Sequence, residues 1–358
     1  MVETTDAVLA FIAAAVITWA LVPVAERIAR TAGVLDEPGP RSQHSVATPR
    51  MSGIAILVGV QVAGWIWLPR GSEEAAILLG ALAIVTVGAL DDLFDLPALV
   101  KLLGQIGAAS IPVIGGVRPD VLTMPFIGGF ELAWTAYPLA IIGIVAVINI
   151  INLIDGIDGL AAGVCAIAAI AMAAIALSLD RTEAGILAAI TAGAALGFLR
   201  HGFPPASSFM GDAGSNLLGY LIAVASIQGA LKTNAVVALA FPLVILAVPI
   251  LDTAFVVAKR IKYKQPIYQA DRWHFHHRMA NKGFSQRRTL AYMYGWTSVL
   301  ALLALALRFV PYSDDSGNFD LPWTILMAVV LLAAIAASVY LAIVLEIIKI
   351  RRSAPEKS

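Results

Sequence analysis

The chain has 358 residues, 59% of them hydrophobic and 13% charged, with a mean hydropathy of +0.85. Soluble domains carry roughly 25% charge, so apolar content on this scale, gathered in runs of about 17–25 residues, excludes a soluble globular protein and predicts an all-α polytopic membrane protein. A formal net charge of zero excludes a bulk-basic nucleic-acid binder, and no nucleic-acid partner is expected.

In chain order, apolar runs near 7–25, 51–69, 74–90, 100–117, 135–151, 159–178, 184–200, 213–230, 235–258, 289–307 and 322–348 predict about eleven transmembrane helices. Glu3 and Asp6 precede the first run with no Lys or Arg, so it reads as a retained span and not as a cleavable signal. If the N-terminus is outside, every Lys and Arg except Arg70, Arg118, Arg181, Lys232 and Arg308 falls on the inner side. The positive-inside bias therefore places the N-terminus outside and the C-terminus in the cytoplasm. Residues 118–134, with Pro119, Pro125, Gly128 and Gly129, suit a short outer hairpin. Ala161–Ala176 and Ala188–Gly197 read as seams where small residues let membrane helices approach closely, and Cys165 as a buried packing residue. With no internal repeat, residues 1–358 form one domain.

The inner loops 26–50, 91–100, 152–158, 201–212 and 259–288 carry the residues with chemistry. Asp91, Asp92 and Asp95 end the third run, and Asp212 opens the eighth. Asn152, Asp155 and Asp158 end the fifth at a spacing of three, which suits one helical face, while Gly156 and Gly159 leave the backbone open to a ligand. His274, His276 and His277 lie in the long basic loop. Carboxylates at the edge of lipid are costly, and four segments converging on one side predict a single site. Oxygen donors of this kind suit Mg²⁺, with Mn²⁺ as the alternative; His without a nearby Cys makes a zinc site a poor match. Arg272, Arg278, Lys282, Arg287 and Arg288 supply the counter-charge that phosphates require. A transporter is the alternative of another class, but it would place its acids near the midplane and in repeats. Asp252 stands apart, roughly 10 Å in from the cytoplasmic end of its helix. Its partner is either a lipid phosphate in a cavity or a hydrogen bond to a neighbouring helix.

Four motifs carry a family resemblance: DDLFD at 91–95 followed by Lys101, NLIDGIDGL at 152–160, FMGDAGSNLLGY at 209–220 and DRWHFHHRM at 271–279. In order and spacing they resemble the polyprenyl-phosphate N-acetylhexosamine-1-phosphate transferases. Asp36–Gly53, with Pro38, Arg41, His44, Pro49 and Arg50, is similar to that family's first cytoplasmic loop.

The resemblance implies transfer of a sugar-1-phosphate from a UDP-N-acetylhexosamine to undecaprenyl or decaprenyl phosphate with release of UMP. This is a first membrane step of cell-envelope glycan synthesis, at the cytoplasmic face of a bacterial inner membrane. HFHH resembles the branch that uses UDP-GlcNAc, with the UDP-MurNAc-pentapeptide branch as the alternative. Expected partners are the UDP-sugar, the polyprenyl phosphate and the membrane, with a homodimer left open.

By the same resemblance Asp212 is the metal ligand, and the helix opened by Gly211–Ser215 is expected to turn backbone N–H groups toward phosphate. Asp91 and Asp92 orient, or take a residual proton from, the lipid phosphate, with no choice made between them. Asp155 and Asp158, grouped with them as catalytic, shape the nucleotide pocket and the outer metal shell. Substrate contacts are expected from Arg41, His44, Arg50, Asp95, Lys101, Asn152, His274, His276, His277 and Arg278. Two departures stand out: His201-Gly202 where many relatives have Asn, and Ser52 where Gly is usual.

Overall fold

A computed structural model describes residues 2–36, 47–119, 121–124, 128–230, 246–262, 275–311 and 320–344. Their order is α1 (Val2–Ala32), β1 (Leu35–Asp36), β2 (Thr48–Pro49), α2 (Ser52–Trp67), α3 (Ser72–Phe94), α4 (Ala98–Gly115), β3 (Val121–Met124), β4 (Gly128–Glu131) and α5 (Ala136–Ile154). There follow α6 (Leu160–Ser178), α7 (Thr182–Gly202), α8 (Gly211–Ala230), α9 (Ala247–Lys262), α10 (Phe275–Asn281), α11 (Gln286–Phe309) and α12 (Leu321–Val344).

The chain is a multi-span integral membrane protein, and its described residues are helical apart from two small antiparallel strand pairs. Helices overlie all eleven predicted runs, the ninth from Ala247 onward, but eight of those described are long and apolar enough to cross a membrane. Of the other three helices, α9 is described only from Ala247. With 16 residues, α2 rises only about 24 Å against a hydrocarbon core of about 30 Å. In α8, Asp212, Asn216 and Gln228 dilute the apolar run. The long basic loop also contains a helix, α10, that periodicity does not reveal. The hairpin foreseen in 118–134 is β3–β4, with Val121 opposite Glu131 and Met124 opposite Gly128.

Small residues set the packing. A Cβ on Gly193 would lie 2.2 Å from the Phe11 carbonyl oxygen, and one on Gly197 2.3 Å from that of Ala15. The backbone of α1 therefore lies directly on the α7 seam, the close approach that a pair of glycines four apart permits. Gly197→Val would drive a side chain into the backbone. The expected cost is about 1–3 kcal/mol or more, read as a lowered thermal unfolding midpoint in detergent.

Packing also brings α3 and α8 together. Tyr220, fully buried, donates its hydroxyl to the Ile77 carbonyl at 2.8 Å, in space left open by Gly80. Along α3 the acids separate to opposite ends: Glu73 and Glu74 in the first turn, Asp91 and Asp92 in the last. The first pair joins Asp180 and Glu183 around a cavity of about 140 Å³ at that end of the bundle. The second pair belongs to the site described next.

Candidate active site

The site forms where two loops pair. Arg50 bridges to Phe209, with the Phe209 N–H donating to the Pro49 carbonyl at 2.8 Å and the Ser52 and Gly53 N–H groups donating to Phe209 and Met210. This pairing carries Arg50 to the start of α8. Its Nε lies 3.0 Å from Asp92 Oδ1 and its Nη2 3.2 Å from Asp212 Oδ1. Ser52 contributes to the pairing: its hydroxyl bonds that of Ser208 at 2.6 Å in a buried contact that the usual Gly could not make.

Asp92 caps α8. Its Oδ1 accepts the Asp212 N–H at 2.9 Å and its Oδ2 the Ala213 N–H at 3.1 Å. Gly88 and Gly211 make room, since a Cβ on Gly88 would lie 2.5 Å from Ala213 backbone atoms and one on Gly211 2.3 Å from Asp92 Oδ2. Gly211 also has φ +66°, a left-handed conformation that glycine adopts without strain. The expectation that these N–H groups face phosphate is thus corrected: a carboxylate of the chain takes two of them. An anion at a helix N-terminus is the favoured partner, and DDLFD supplies it.

Lys101, on the first turns of α4, is the hub of the other half. Its Nζ lies 2.8 Å from Asp91 Oδ2, contacts Asp212 Oδ2 and donates to Asn152 Oδ1 at 3.4 Å. Asn152 in turn donates to the Ser215 hydroxyl at 2.9 Å, which binds the Gly211 carbonyl at 3.1 Å. One network therefore joins Arg50, Asp91, Asp92, Lys101, Asn152 and Asp212 from four separate parts of the chain.

Beside this network opens a cavity of about 320 Å³, whose walls include Arg50, Asn152, Asp155, Asp158 and Asp212. Asp158 holds the wall by accepting the Ala206 N–H at 3.1 Å, which fixes the loop between α7 and α8. Burial pushes the Asp155 carboxyl up to about 8, the fields of Asp212, Asp92 and Asp158 adding to the rise and Arg50 opposing it. Asp91, Asp92, Asp158 and Asp212 thus outnumber the two cations, Arg50 and Lys101, with Asp155 protonated at neutral pH. The excess of oxygen donors and negative charge fits a hard divalent ion such as Mg²⁺. Magnesium ordinarily takes one or two protein carboxylates and completes its shell with water and substrate phosphates, and among the described residues no group of three or more His, Cys, Asp or Glu is arranged to hold a metal.

Other expected residues fall differently. Asp95 is exposed, has φ +48° and ends α3, its N–H donating to the Asp91 carbonyl; the fold does not bring it into the network. Arg278 is half-buried on α10. Arg41, His44 and His274 lie outside the described residues, as do the side chains of His276 and His277, whose backbone belongs to α10. His201 turns toward α1, with Nε2 3.2 Å from the Trp19 carbonyl, while Gly202 lines the cavity. Asp36, Ser208, Phe209 and Gln286 also line it and were not singled out. Phe209 opens a quoted motif and Gln286 the tenth apolar helix, and those positions are the only sequence signal they carry.

Comparison with known proteins bears on this arrangement. Residues 75–230 match the family described as glycosyl transferase family 4. The chain is 38% identical over 304 residues to the probable undecaprenyl-phosphate N-acetylglucosaminyl 1-phosphate transferase of Bacillus subtilis, covering 84% of this chain and 85% of that one. It is 34% identical to the decaprenyl-phosphate N-acetylglucosaminephosphotransferase of Mycobacterium leprae, covering 83% and 82%. Identity to the phospho-N-acetylmuramoyl-pentapeptide-transferase of Heliobacterium modesticaldum is 32%, covering 81% and 94%.

Proposed function

The chain belongs to glycosyl transferase family 4, and on that premise we propose that it transfers GlcNAc-1-phosphate from UDP-GlcNAc to a polyprenyl phosphate, releasing UMP. The observation that carries this reading is the single network of Arg50, Asp91, Asp92, Lys101, Asn152 and Asp212 against a polar cavity. The site faces the cytoplasm, where UDP-sugars are made. The sorting of Lys and Arg supports that orientation.

The lipid phosphate is the nucleophile. With a second pKa of about 6 it is mostly dianionic at neutral pH, so little base is needed. One of its oxygens forms a bond to the phosphorus that bears GlcNAc; the bond from that phosphorus to the bridging oxygen breaks, and UMP leaves with the electron pair. The obstacle is electrostatic, because two anions must meet beside an acidic site. Arg50 and Lys101 offset part of the repulsion, and each is held in place by the carboxylates it neutralises. A magnesium or manganese ion held by Asp212, with Asp155 in its outer shell, would supply the remaining positive charge at the leaving phosphate. Asn152 and Asp158 shape the nucleotide side by fixing α8 and the loop before it.

On the membrane side an apolar groove of about 520 Å³ runs between α4 and α5, from Pro138 to Asn149, with Leu102 and Ile106 on its other wall. Leu102 follows Lys101, and Asn149 lies three residues before Asn152. The groove therefore suits a prenyl chain whose phosphate ends at the Lys101 network.

Inverted membrane vesicles, with the cytoplasmic face outward, are expected to release UMP from added UDP-GlcNAc when supplied with polyprenyl phosphate; sealed right-side-out vesicles are not. Equal release from both orientations would overturn the assignment of the face. Preference for UDP-MurNAc-pentapeptide would overturn the choice of sugar.

A further inference from the structure

Asp252, on α9, is an acid with no place in the chemistry above, yet it is only 1% exposed. Its Oδ1 accepts the backbone N–H of Phe275 at 2.8 Å. Phe275 is the first residue of α10, the short helix that carries His276, His277 and Arg278.

The rest of α10 is fastened through its apolar side chains. The Phe275 ring is fully buried and stacks on Trp296 of α11, with centroids 6.0 Å apart and planes at 21°. Trp296 Nε1 donates to the Ser338 hydroxyl of α12 at 2.9 Å, and Met279, one turn after Phe275, is also fully buried. Seven residues make too few internal hydrogen bonds to hold a helix alone, so the orientation of α10 depends on these attachments. Its first N–H, which no helical carbonyl can accept, is the one that Asp252 takes. After α10, a short turn leads to Gln286, which lines the substrate cavity.

We infer that Asp252 is a positioning residue: by accepting the Phe275 N–H it fixes the histidine-bearing helix that leads, through one turn, to Gln286 in the cavity wall, without touching substrate. A buried carboxylate is costly unless hydrogen-bonded, and this one is bonded to the backbone of the short helix that precedes α11. The kinetic part of the inference rests on the reading of the chain as a UDP-GlcNAc transferase. The placement of α10 does not.

The test uses the full chain in detergent with Cys165→Ala and Met279→Cys, so that a single thiol reports on the buried face of α10. Asp252→Leu removes the acceptor at similar size; Asp252→Ala serves if the leucine variant does not insert; Asp252→Asn keeps an acceptor. Loss of the acceptor is expected to speed maleimide labelling at position 279 about tenfold or more. In the same protein without the Met279 change, KM for UDP-GlcNAc should rise about tenfold while KM for polyprenyl phosphate stays within about twofold. Asp252→Asn should restore both readouts to near wild type. Unchanged labelling in the leucine and alanine variants overturns the inference, as does an asparagine variant as loose as they are, or a KM change confined to the polyprenyl phosphate. If the wild type itself releases no UMP from UDP-GlcNAc, the functional reading fails, and the labelling still decides the role of Asp252.

Discussion

Asp212→Asn is expected to lower UMP release by at least about 10²-fold while the protein still inserts and unfolds near the wild-type midpoint. The survival of the fold follows from how the neighbouring cations are shared. Lys101 keeps Asp91 and Asn152, and Arg50 keeps Asp92, so neither cation is left without a partner. Activity does not survive, because Asp212 is the carboxylate at which both halves of the network meet beside the cavity. The amide matches the shape and loses the charge that a divalent ion needs. Wild-type activity should fall with a chelator and return with Mg²⁺ or Mn²⁺. A variant retaining near-normal turnover, or a wild type indifferent to chelator, would remove Asp212 from the metal role.

Why these residues meet is only partly legible in the sequence. Asp91, Asn152 and Asp212 stand out because each interrupts an apolar run, and in a membrane protein a carboxylate at such a boundary is conspicuous. Periodicity likewise locates the helices well, although α2 is short and α8 carries buried polar residues that dilute its apolar run. The partners are harder to foresee. Arg50 reaches Asp212 through strand-like pairing of Pro49 with Phe209, and backbone pairing of that kind has no side-chain signature. The same holds for Asp252, whose depth can be counted from the helical rise but whose partner is an N–H that almost every residue possesses. For Asp92 the signal misleads. An acid in DDLFD and a helix opening at Gly211 each invite a phosphate, whereas the fold satisfies them with one another.

That pairing separates two neighbouring acids that the sequence treats alike. The Asp92 side chain is 4% exposed and binds two N–H groups of α8 together with Arg50, whereas that of Asp91 is 14% exposed and faces Lys101. Asp92→Ala should therefore be mainly a stability variant. It orphans two backbone donors, each costing about 1–3 kcal/mol, so the unfolding midpoint should fall well below that of the wild type, and activity should fall with it as the α8 terminus loosens. Asp91→Asn leaves those donors satisfied. Its amide oxygen can still accept from Lys101 or from the Leu96 N–H that Asp91 Oδ1 binds at 2.9 Å, so the midpoint should stay close to wild type. If Asp91 orients the lipid phosphate or takes its residual proton, turnover should nonetheless drop by about 10²–10⁴-fold, most steeply below pH 6, where the phosphate still carries that proton. Thermal unfolding and initial rates measured on the same preparations decide the matter. Asp91→Asn with full activity, or Asp92→Ala with an unchanged midpoint, would reverse the division of labour between the two acids.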